Sequence, residues 1–236
     1  MKSLIINFLN FLDKYIQDKN LRILRKYFKS EINVYIDIGA HKGEMIEIIK
    51  KNFNVKKTLA FEPNIECFRY LNRLKDKKTK IFNLAVSDKL GVDFLKIGHI
   101  SAMSTLNEIN ENAIYTYIKK IIINIFFFKR NIYKKKILIK KIKLKNILDK
   151  YKLKTLDLIK IDTEGHEYRV LIGMDEYIDK TKIILLECHY DQSLIKNYDF
   201  EKIDSFLNKK KFKLVSKNQM IFRKGYELIY INKKYY

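Results

Sequence analysis

Residues 34–44 read VYIDIGAHKGE, a pattern that predicts a buried strand, a tight turn and the beginning of a helix. The β-branched and aromatic residues of the first half are typical of a strand, and the run stops at Gly39. Gly43 then opens a stretch to about residue 53 whose apolar residues recur at helical spacing. These residues predict the first unit of an alternating strand–helix architecture.

Strand and helix patterns continue to alternate outward from this unit. Further strands are predicted over residues 58–61, 80–86, 156–161 and 183–187, and helices after Pro63, over 167–174 and over 200–210. Such alternation indicates parallel strands joined by crossover helices. Two last strands, over 212–216 and 227–231, are joined near Lys224 and Gly225. The expected fold is α/β, a mostly parallel Rossmann-like sheet that ends in an antiparallel hairpin.

The composition is that of a folded protein with reduced cysteines. A length of 236 residues and a hydrophobic content of 47% are enough for one domain with a sizeable core, which argues against wholesale disorder. Cys67 and Cys188 are too few and too far apart for a disulfide framework or a zinc site, so a cytoplasmic location is expected. Residues 1–20 lack a cleavage site and a long apolar run, so no secretory signal is predicted.

The chain is strongly basic, with a net charge of +22 from 49 basic and 27 acidic residues. Only 7 of the basic residues are Arg, the residue that makes forked contacts with phosphate and guanine. The charge therefore fits a lysine-rich solvated surface better than a nucleic-acid interface. Peripheral contact with an anionic membrane stays an alternative.

Two segments lie outside the strand–helix alternation. Residues 1–30 begin with an amphipathic helix that we expect to pack on the domain, a membrane-surface role being the alternative. Residues 111–154 hold 14 basic and 2 acidic residues, more than half of the net charge. We interpret residues 108–141 as a basic insertion, a helix followed by a strand, within a domain spanning residues 31–236. Its apolar run is cut by Lys119 and Lys120 and is too short to span a membrane.

The first candidate site is the turn after the first predicted strand, which contains Asp37, Gly39, His41 and Gly43. Glycines let the backbone approach a ligand closely, and the N-terminus of the following helix favours negative groups. In open α/β sheets, ligands bind beyond the carboxyl ends of the strands. The spacing G-x-x-x-G differs from the G-x-G-x-x-G of dinucleotide-binding folds, which disfavours a nicotinamide cofactor.

The second candidate is Glu62, which ends the second predicted strand 25 positions after Asp37 and precedes Pro63 at the start of a helix. A carboxylate at this strand end can accept hydrogen bonds from both hydroxyls of a ribose, in NAD and in S-adenosylmethionine alike. The alternative is an acid that only stabilises the N-terminus of the helix.

The third candidate is a polar cluster after the strand predicted over 156–161, with Asp162, Glu164 and His166. Such a cluster can orient a hydroxyl and remove its proton, or hold a divalent ion. His189, at the end of the next strand, is a further candidate base or substrate contact, with a hydrogen-bonded structural histidine as the alternative.

Seven segments of the chain resemble the FkbM-type methyltransferases, in the order in which that family has them. They are VYIDIGAHKGE (34–44), LAFEPNIECFRYLNRL (59–74), NLAVSDKLGVDFL (83–95), SAMSTLNE (101–108), IKLKNILDKY (142–151), DLIKIDTEGHEYRVLIGM (157–174) and IILLECH (183–189). The resemblance implies a class I methyltransferase fold with S-adenosyl-L-methionine as cofactor. It also implies O-methylation of a sugar hydroxyl in a glycan, glycolipid or related metabolite.

The resemblance assigns roles by position. The residues on the cofactor side are Asp37, Gly39, His41, Gly43, Glu62, Pro63, Ser87 and Asp88. Among them the glycine turn would border the methionine part, Glu62 would hold the ribose, and Ser87 with Asp88 would lie near the adenine. On the catalytic side Asp162 would lie beside the transferred methyl group, with Glu164 and His166 next to it. No residue is assigned to a metal, and the basic insertion, long for the family, is expected to shape the acceptor site.

The sequence therefore favours a cytoplasmic, S-adenosylmethionine-dependent methyltransferase with a small-molecule or glycan acceptor. Two alternatives stay open. An RNA methyltransferase is motivated by the net charge of +22 and would lose affinity steeply with salt. A non-catalytic membrane-surface or adaptor protein would use the N-terminal helix and the basic insertion, which anionic lipid attracts.

Overall fold

The computed structural model of the protein describes residues 16–220 and 224–236, with a seven-stranded sheet at its centre. Three short 3-10 helices of the described residues lie at Asn72–Leu74, Ser101–Met103 and Asp175–Tyr177. The other elements, in chain order, are α1 (16–28, the described part), β1 (Glu31–Ile38), α2 (Glu44–Asn52), β2 (Asn54–Phe61), α3 (Ile65–Leu71), β3 (Thr79–Phe82), β4 (Ala85–Val86), β5 (Gly91–Gly98), β6 (Glu108–Ile109), α4 (Ile114–Phe127), β7 (Tyr133–Ile142), α5 (Leu144–Tyr151), β8 (Leu156–Ile161), α6 (Glu167–Ile172), β9 (Thr181–His189), β10 (Leu194–Ile195), α7 (Phe200–Lys209), β11 (Phe212–Gln219) and β12 (Gly225–Asn232).

The strands of the central sheet lie in the order β11-β12-β9-β8-β1-β2-β3. β1 pairs in parallel with β2 and β8, and β8 pairs in parallel with β9, whereas β12 runs antiparallel to both β9 and β11. The predicted α/β sheet with a C-terminal antiparallel hairpin is confirmed. The strand order reverses between β1 and β8, so the switch point for ligand binding lies at the C-terminal ends of these two strands.

Apolar clusters cover both faces of the sheet, and β1 shows how they divide. Val34, Ile36 and Ile38 belong to one cluster and Tyr35 to the other, because successive side chains of a strand point to opposite faces. Leu24 of α1 is buried in the second cluster, so the described part of this helix packs on the sheet. The earlier residues of the predicted amphipathic helix, 1–15, lie outside the described part of the chain.

The single strand predicted over residues 80–86 is wrong, because the chain leaves the central sheet in the middle of it. β3 ends at Phe82, and the Asn83 side chain donates hydrogen bonds to the carbonyl oxygens of Glu62 and Pro63 at 2.8 and 3.0 Å. After this turn the two residues of β4 pair in parallel with β7 instead. Asn83 is the polar residue within this run, and its contact to the loop after β2 divides the run into two strands.

The segment predicted as a basic insertion contains β6, α4 and nearly all of β7. β7 lies between β4 and β5 in a three-stranded sheet. β6 forms a separate two-stranded sheet with β10, which follows β9 in the chain. Most large apolar side chains of α4 are exposed, namely Ile114, Tyr117, Ile118, Ile121, Ile122, Ile125 and Phe127. Among the described residues, no helix combines the length and apolarity needed to cross a membrane.

Candidate active site

The glycine turn between β1 and α2 lies directly against the end of β8. Gly39 has a φ of +78°, and a Cβ added to it would lie 1.7 Å from the carbonyl oxygen of Asp162, so only glycine fits there. The backbone N–H groups of Gly39 and Ala40 both donate to the carbonyl oxygen of Phe61 at 3.0 Å. Gly43 adopts a left-handed conformation as the N-cap of α2. The turn therefore brings the ends of β1, β2 and β8 together.

Glu62 is held against this turn by two backbone hydrogen bonds. Its carboxylate accepts from the N–H of His41 at 2.8 Å and from the N–H of Asn64 at 2.7 Å. The side chain is buried, and burial raises the pKa of Glu62 to about 7. Each carboxylate oxygen keeps a second lone pair, so Glu62 can also accept from a ligand.

A lysine in the interior of the sheet connects two of the predicted acids. Lys160 Nζ donates to Asp162 Oδ2 at 3.0 Å and lies 3.7 Å from Asp37 Oδ1. Burial lowers the pKa of Lys160, but the carboxylates of Asp162 and Asp37 outweigh it and raise the pKa above its usual value. Asp37 also accepts a hydrogen bond from the Tyr35 hydroxyl at 2.9 Å and is fully buried. Asp37 therefore lies beneath the cavity wall and links β1 to β8 through Lys160.

A cavity of about 570 Å³ opens at the switch point, within the usual size range of ligand pockets. Of the predicted site residues it is lined by Gly39, His41, Glu62, Pro63, Asp162, Glu164 and His166. Apolar wall is supplied by Met45, Ile48, Phe61, Leu84, Ala85, Val86 and Leu95. Among the described residues its wall holds one lysine and six carboxylates, those of Glu44, Glu62, Asp162, Glu164, Glu187 and Glu227. The cavity therefore favours cationic or hydroxyl-rich ligands.

Sequence reasoning missed several residues of this cavity. Lys160 and Glu187 lie in the segments 157–174 and 183–189, which resemble the family. Both residues belong to predicted strands, and nothing in the local pattern marked them as site residues. Glu227 reaches the cavity because β12 places it directly opposite Glu187 in the antiparallel ladder with β9. Only the register between β12 and β9 could have indicated that Glu227 belongs to the cavity.

Ser87 and Asp88, which the resemblance places near an adenine, do not themselves line the cavity, whereas the preceding Val86 does. The Ser87 hydroxyl is 2.9 Å from His166 Nε2 and donates to Asp88 Oδ1 at 2.9 Å, while Asp88 pairs with Arg169 at 3.2 Å. Burial lowers the pKa of His166 to about 4, which keeps this ring neutral at physiological pH. These contacts attach the end of β4 to α6, so the pair has a structural role here.

His189 lies behind the acidic side of the cavity with two glutamates. Its Nε2 is 2.9 Å from Glu187 Oε1 and 3.5 Å from Glu164 Oε2. Burial lowers the pKa of His189, but the charges of Glu164 and Glu187 outweigh it and raise the pKa above the usual value. Burial raises the pKa of Glu164 to about 7. Ligand atoms of these three side chains lie within 4.8 Å of one another, so they form the candidate metal-binding group of the described residues.

Glu227 gives a test of the cavity's electrostatics. Burial, with a smaller contribution from Glu187, raises its pKa to about 7, so its neutral form is favoured in the folded state. Stability present at low pH is then lost as pH rises toward and through 7. We expect the Glu227→Gln variant, which mimics the neutral acid, to be about 2 kcal/mol more stable than the wild type at pH 8 but only about 0.5 kcal/mol more stable at pH 5.

Chemical denaturation of the ligand-free protein at both pH values measures this difference. The exposed Glu201, in the first turn of α7, supplies the matched control Glu201→Gln, whose stability should differ from the wild type equally at both pH values. A Glu227→Gln variant that is less stable than the wild type at pH 8 would show that the ionised carboxylate is favoured in the fold.

The sheet order, the cavity at its switch point and the glycine turn beside an acidic strand end define the class I methyltransferase fold. Within that class, the chain matches the Methyltransferase FkbM domain over residues 37–214 and belongs to that family. The resemblance read from the sequence is confirmed. S-adenosylmethionine is the cofactor expected for a member of this family.

Solved structures with a similar fold include three methyltransferases. The FkbM methyltransferase of Methylobacillus flagellatus KT has a TM-score of 0.54 and 13% identity, over 87% of this chain and 45% of that one. The SAM-bound magnesium protoporphyrin IX methyltransferase of Synechocystis PCC 6803 has a TM-score of 0.48 and 8% identity, over 98% of this chain and 83% of that one. A putative tRNA (m1A22) methyltransferase of Streptococcus pneumoniae, in complex with S-adenosyl-L-methionine, has a TM-score of 0.45 and 12% identity, over 91% of this chain and 72% of that one.

The chain thus spans less than half of the length of the Methylobacillus flagellatus protein. No curated protein sequence matches it.

Proposed function

We propose that this protein transfers a methyl group from S-adenosylmethionine to a sugar hydroxyl, with the switch-point cavity as the site. One observation carries the proposal: Glu62 is bonded to the glycine turn inside a cavity of about 570 Å³ whose wall is rich in carboxylates. A ribose needs an acceptor for its two hydroxyls, and a sulfonium is attracted to negative charge. Both requirements are met by residues of one cavity.

The cofactor half of the site would use the ends of β1, β2 and the turn after β3. Glu62 would accept the ribose hydroxyls, and Gly39 would let the methionine part approach the backbone. Leu84, Ala85 and Val86 line the cavity where the apolar wall would pack against the adenine. We propose these three residues for that role in place of Ser87 and Asp88, which are engaged with His166 and Arg169.

The acceptor half would use the acids that follow β8. S-adenosylmethionine supplies a methyl group on a positively charged sulfur, which is already a strong electrophile. Asp162, held by Lys160, would orient the acceptor hydroxyl and take its proton. The acceptor oxygen would bond to the methyl carbon as the carbon–sulfur bond breaks, with the electron pair left on sulfur. Glu164 lines the acceptor side and can accept hydrogen bonds from further hydroxyls.

The charge of the cavity favours a sugar over RNA as acceptor. Six carboxyl groups and one lysine line it, and three of the six have a pKa raised to about 7, so the wall offers acceptors for hydroxyls and few cations for a phosphodiester. The basic surface lies elsewhere, on the segment from α4 to β7. The net charge of +22 therefore gives no support to RNA chemistry inside the cavity.

The surface of α4 and β7 supports an anionic membrane as the place where the acceptor is met. Ile125 and Phe128 expose large apolar side chains at the end of α4, and β7 follows with the exposed Lys134, Lys135 and Lys136. Apolar side chains that enter a bilayer surface beside lysines that meet anionic headgroups are the two elements of peripheral membrane binding. We propose this contact, which would bring lipid-linked sugars at the cytoplasmic face close to the cavity.

Methyl transfer from radiolabelled cofactor to separated cell fractions tests the proposal. We expect label in polysaccharide or lipid-linked sugar, and a loss of about 100-fold or more in rate for Asp162→Asn, the size of a general-base effect. Asp179→Asn is the matched control, because Asp179 lies outside the cavity wall in an exposed pair with Lys210, and it should keep its rate. Label found only in RNA would instead support the RNA methyltransferase, and the absence of cofactor binding by calorimetry would contradict both.

A further inference from the structure

We propose a binding site for one divalent cation, formed by Glu164, Glu187 and His189. Acceptor hydroxyls on the acidic side of the cavity would be further ligands of this cation. The two glutamates reach this point from different elements, the loop after β8 and the end of β9, and His189 follows Glu187 on the same face of β9. The role toward the acceptor rests on the proposed methyl transfer, whereas binding of the cation can be measured without it.

The two distances from His189 to the glutamates match the edges of a metal coordination shell. His189 Nε2 lies 2.9 Å from Glu187 Oε1 and 3.5 Å from Glu164 Oε2. Ligands about 2.1 Å from a common ion are about 3.0 Å apart in octahedral geometry and about 3.4 Å apart in tetrahedral geometry. All three ligand atoms lie within 4.8 Å of one another, close to the span of about 4.2 Å between opposite ligands of one ion, so a small side-chain adjustment brings them into one shell.

The hydrogen bonding of these atoms points independently to a missing ligand. Glu187 Oε1 and His189 Nε2 are buried, and neither makes a hydrogen bond to the described residues. Their separation is 2.9 Å, but the oxygen does not lie where a ring N–H could donate to it. Each side chain is only 8% exposed, so bulk water gives little compensation. A divalent cation would displace the ring proton of His189 and bind Nε2 together with Glu187 Oε1, which removes this deficit.

The ligand set and its position indicate the ion and its use. Two carboxylates and one imidazole suit Mn²⁺, Zn²⁺ or Fe²⁺ better than Ca²⁺, which prefers oxygen ligands alone. Glu164 and Glu187 line the cavity, so the ligand positions not filled by protein would face it. Neighbouring hydroxyls of a sugar are oxygen donors that can fill two such positions. The cation would then fix which hydroxyl is presented to Asp162.

Calorimetric titration of the full-length, chelator-treated protein with MnCl₂, together with the electron paramagnetic resonance of bound Mn²⁺, tests this site. We expect one ion per chain, and binding at least 10-fold weaker in Glu187→Gln and in His189→Ala. The control Glu176→Gln also changes a glutamate to glutamine, but in an exposed pair with Lys145, and should bind like the wild type. Circular dichroism checks that each variant is folded. The Mn²⁺ affinity of each folded variant is then compared with that of the wild type.

Wild-type protein that binds no Mn²⁺, or folded variants that both bind like the wild type, would overturn the cation site. Cofactor affinity measured in the presence of chelator separates this result from the proposed function. If the protein binds the cofactor but no Mn²⁺, only the cation site is rejected and the proposed function stands. Mn²⁺ binding lost in the variants supports the site even if no methyl transfer is found.

Discussion

Replacing Gly39 by alanine is expected to abolish cofactor binding and to destabilise the fold by about 3 kcal/mol or more. The φ of +78° costs alanine about 1–2 kcal/mol, and its Cβ would lie 1.7 Å from the Asp162 carbonyl oxygen. The ends of β1 and β8 must then separate, and the cavity lies at that junction. The melting temperature should fall by roughly 6–12 °C, and the affinity for S-adenosylmethionine by more than about 100-fold.

Gly91 supplies the matched control for this effect. It also has a positive φ, +145°, but an added Cβ would meet nothing within 4 Å. The Gly91→Ala variant should therefore show backbone strain alone, with unchanged cofactor affinity. Thermal melting and calorimetry of both variants separate clash from strain. A Gly39→Ala protein that melts and binds like the wild type would show that the turn does not lie against β8.

Replacing Glu62 by glutamine is expected to weaken cofactor binding by about 10- to 100-fold, or about 1.4–2.7 kcal/mol. The carboxylate accepts from the N–H of His41 and the N–H of Asn64 through different oxygens. An amide offers one oxygen and one NH₂ group, so one of these backbone donors would face another donor. The turn would shift, and one acceptor for the ribose would be lost.

The pH dependence of this variant gives a second readout. Burial raises the pKa of Glu62 to about 7, and a ribose that donates to it favours the ionised form. Binding therefore releases a proton, and the affinity of the wild type relative to Glu62→Gln should rise as pH increases from 6 to 8. Glu66→Gln is the control, since Glu66 is exposed and pairs with Lys134 and Lys135. Equal affinities in the wild type and Glu62→Gln at every pH would remove Glu62 from the ribose site.

The protein keeps opposite charges in different places. The chain as a whole carries +22, yet six carboxylates surround its cavity. The segment from α4 to β7 holds 9 of the 49 basic residues and no acidic residue, and there they can meet an anionic surface without entering the site. Net charge alone would favour nucleic acid as the partner, and the lining of the cavity favours a cationic cofactor and a hydroxyl-rich acceptor.

Much of the fold and the cofactor turn followed from the sequence, because the physics involved is local. Strand and helix periodicity, a proline at a helix start and glycines at a strand end reflect backbone conformations set within a few residues. Gly39 and Glu62 were identified in this way, and both line the cavity. The family resemblance then supplied the order in which such units follow one another.

The remaining site residues were decided by tertiary structure. Glu227 faces Glu187 only through the register of β12 with β9, and Lys160 contacts Asp37 across two strands more than 100 residues apart in the chain. The division of the strand predicted over 80–86 depends on Asn83 reaching the loop after β2. Spacing along a chain fixes backbone conformation and strand ends, but not which distant side chains meet, because that depends on strand order and register.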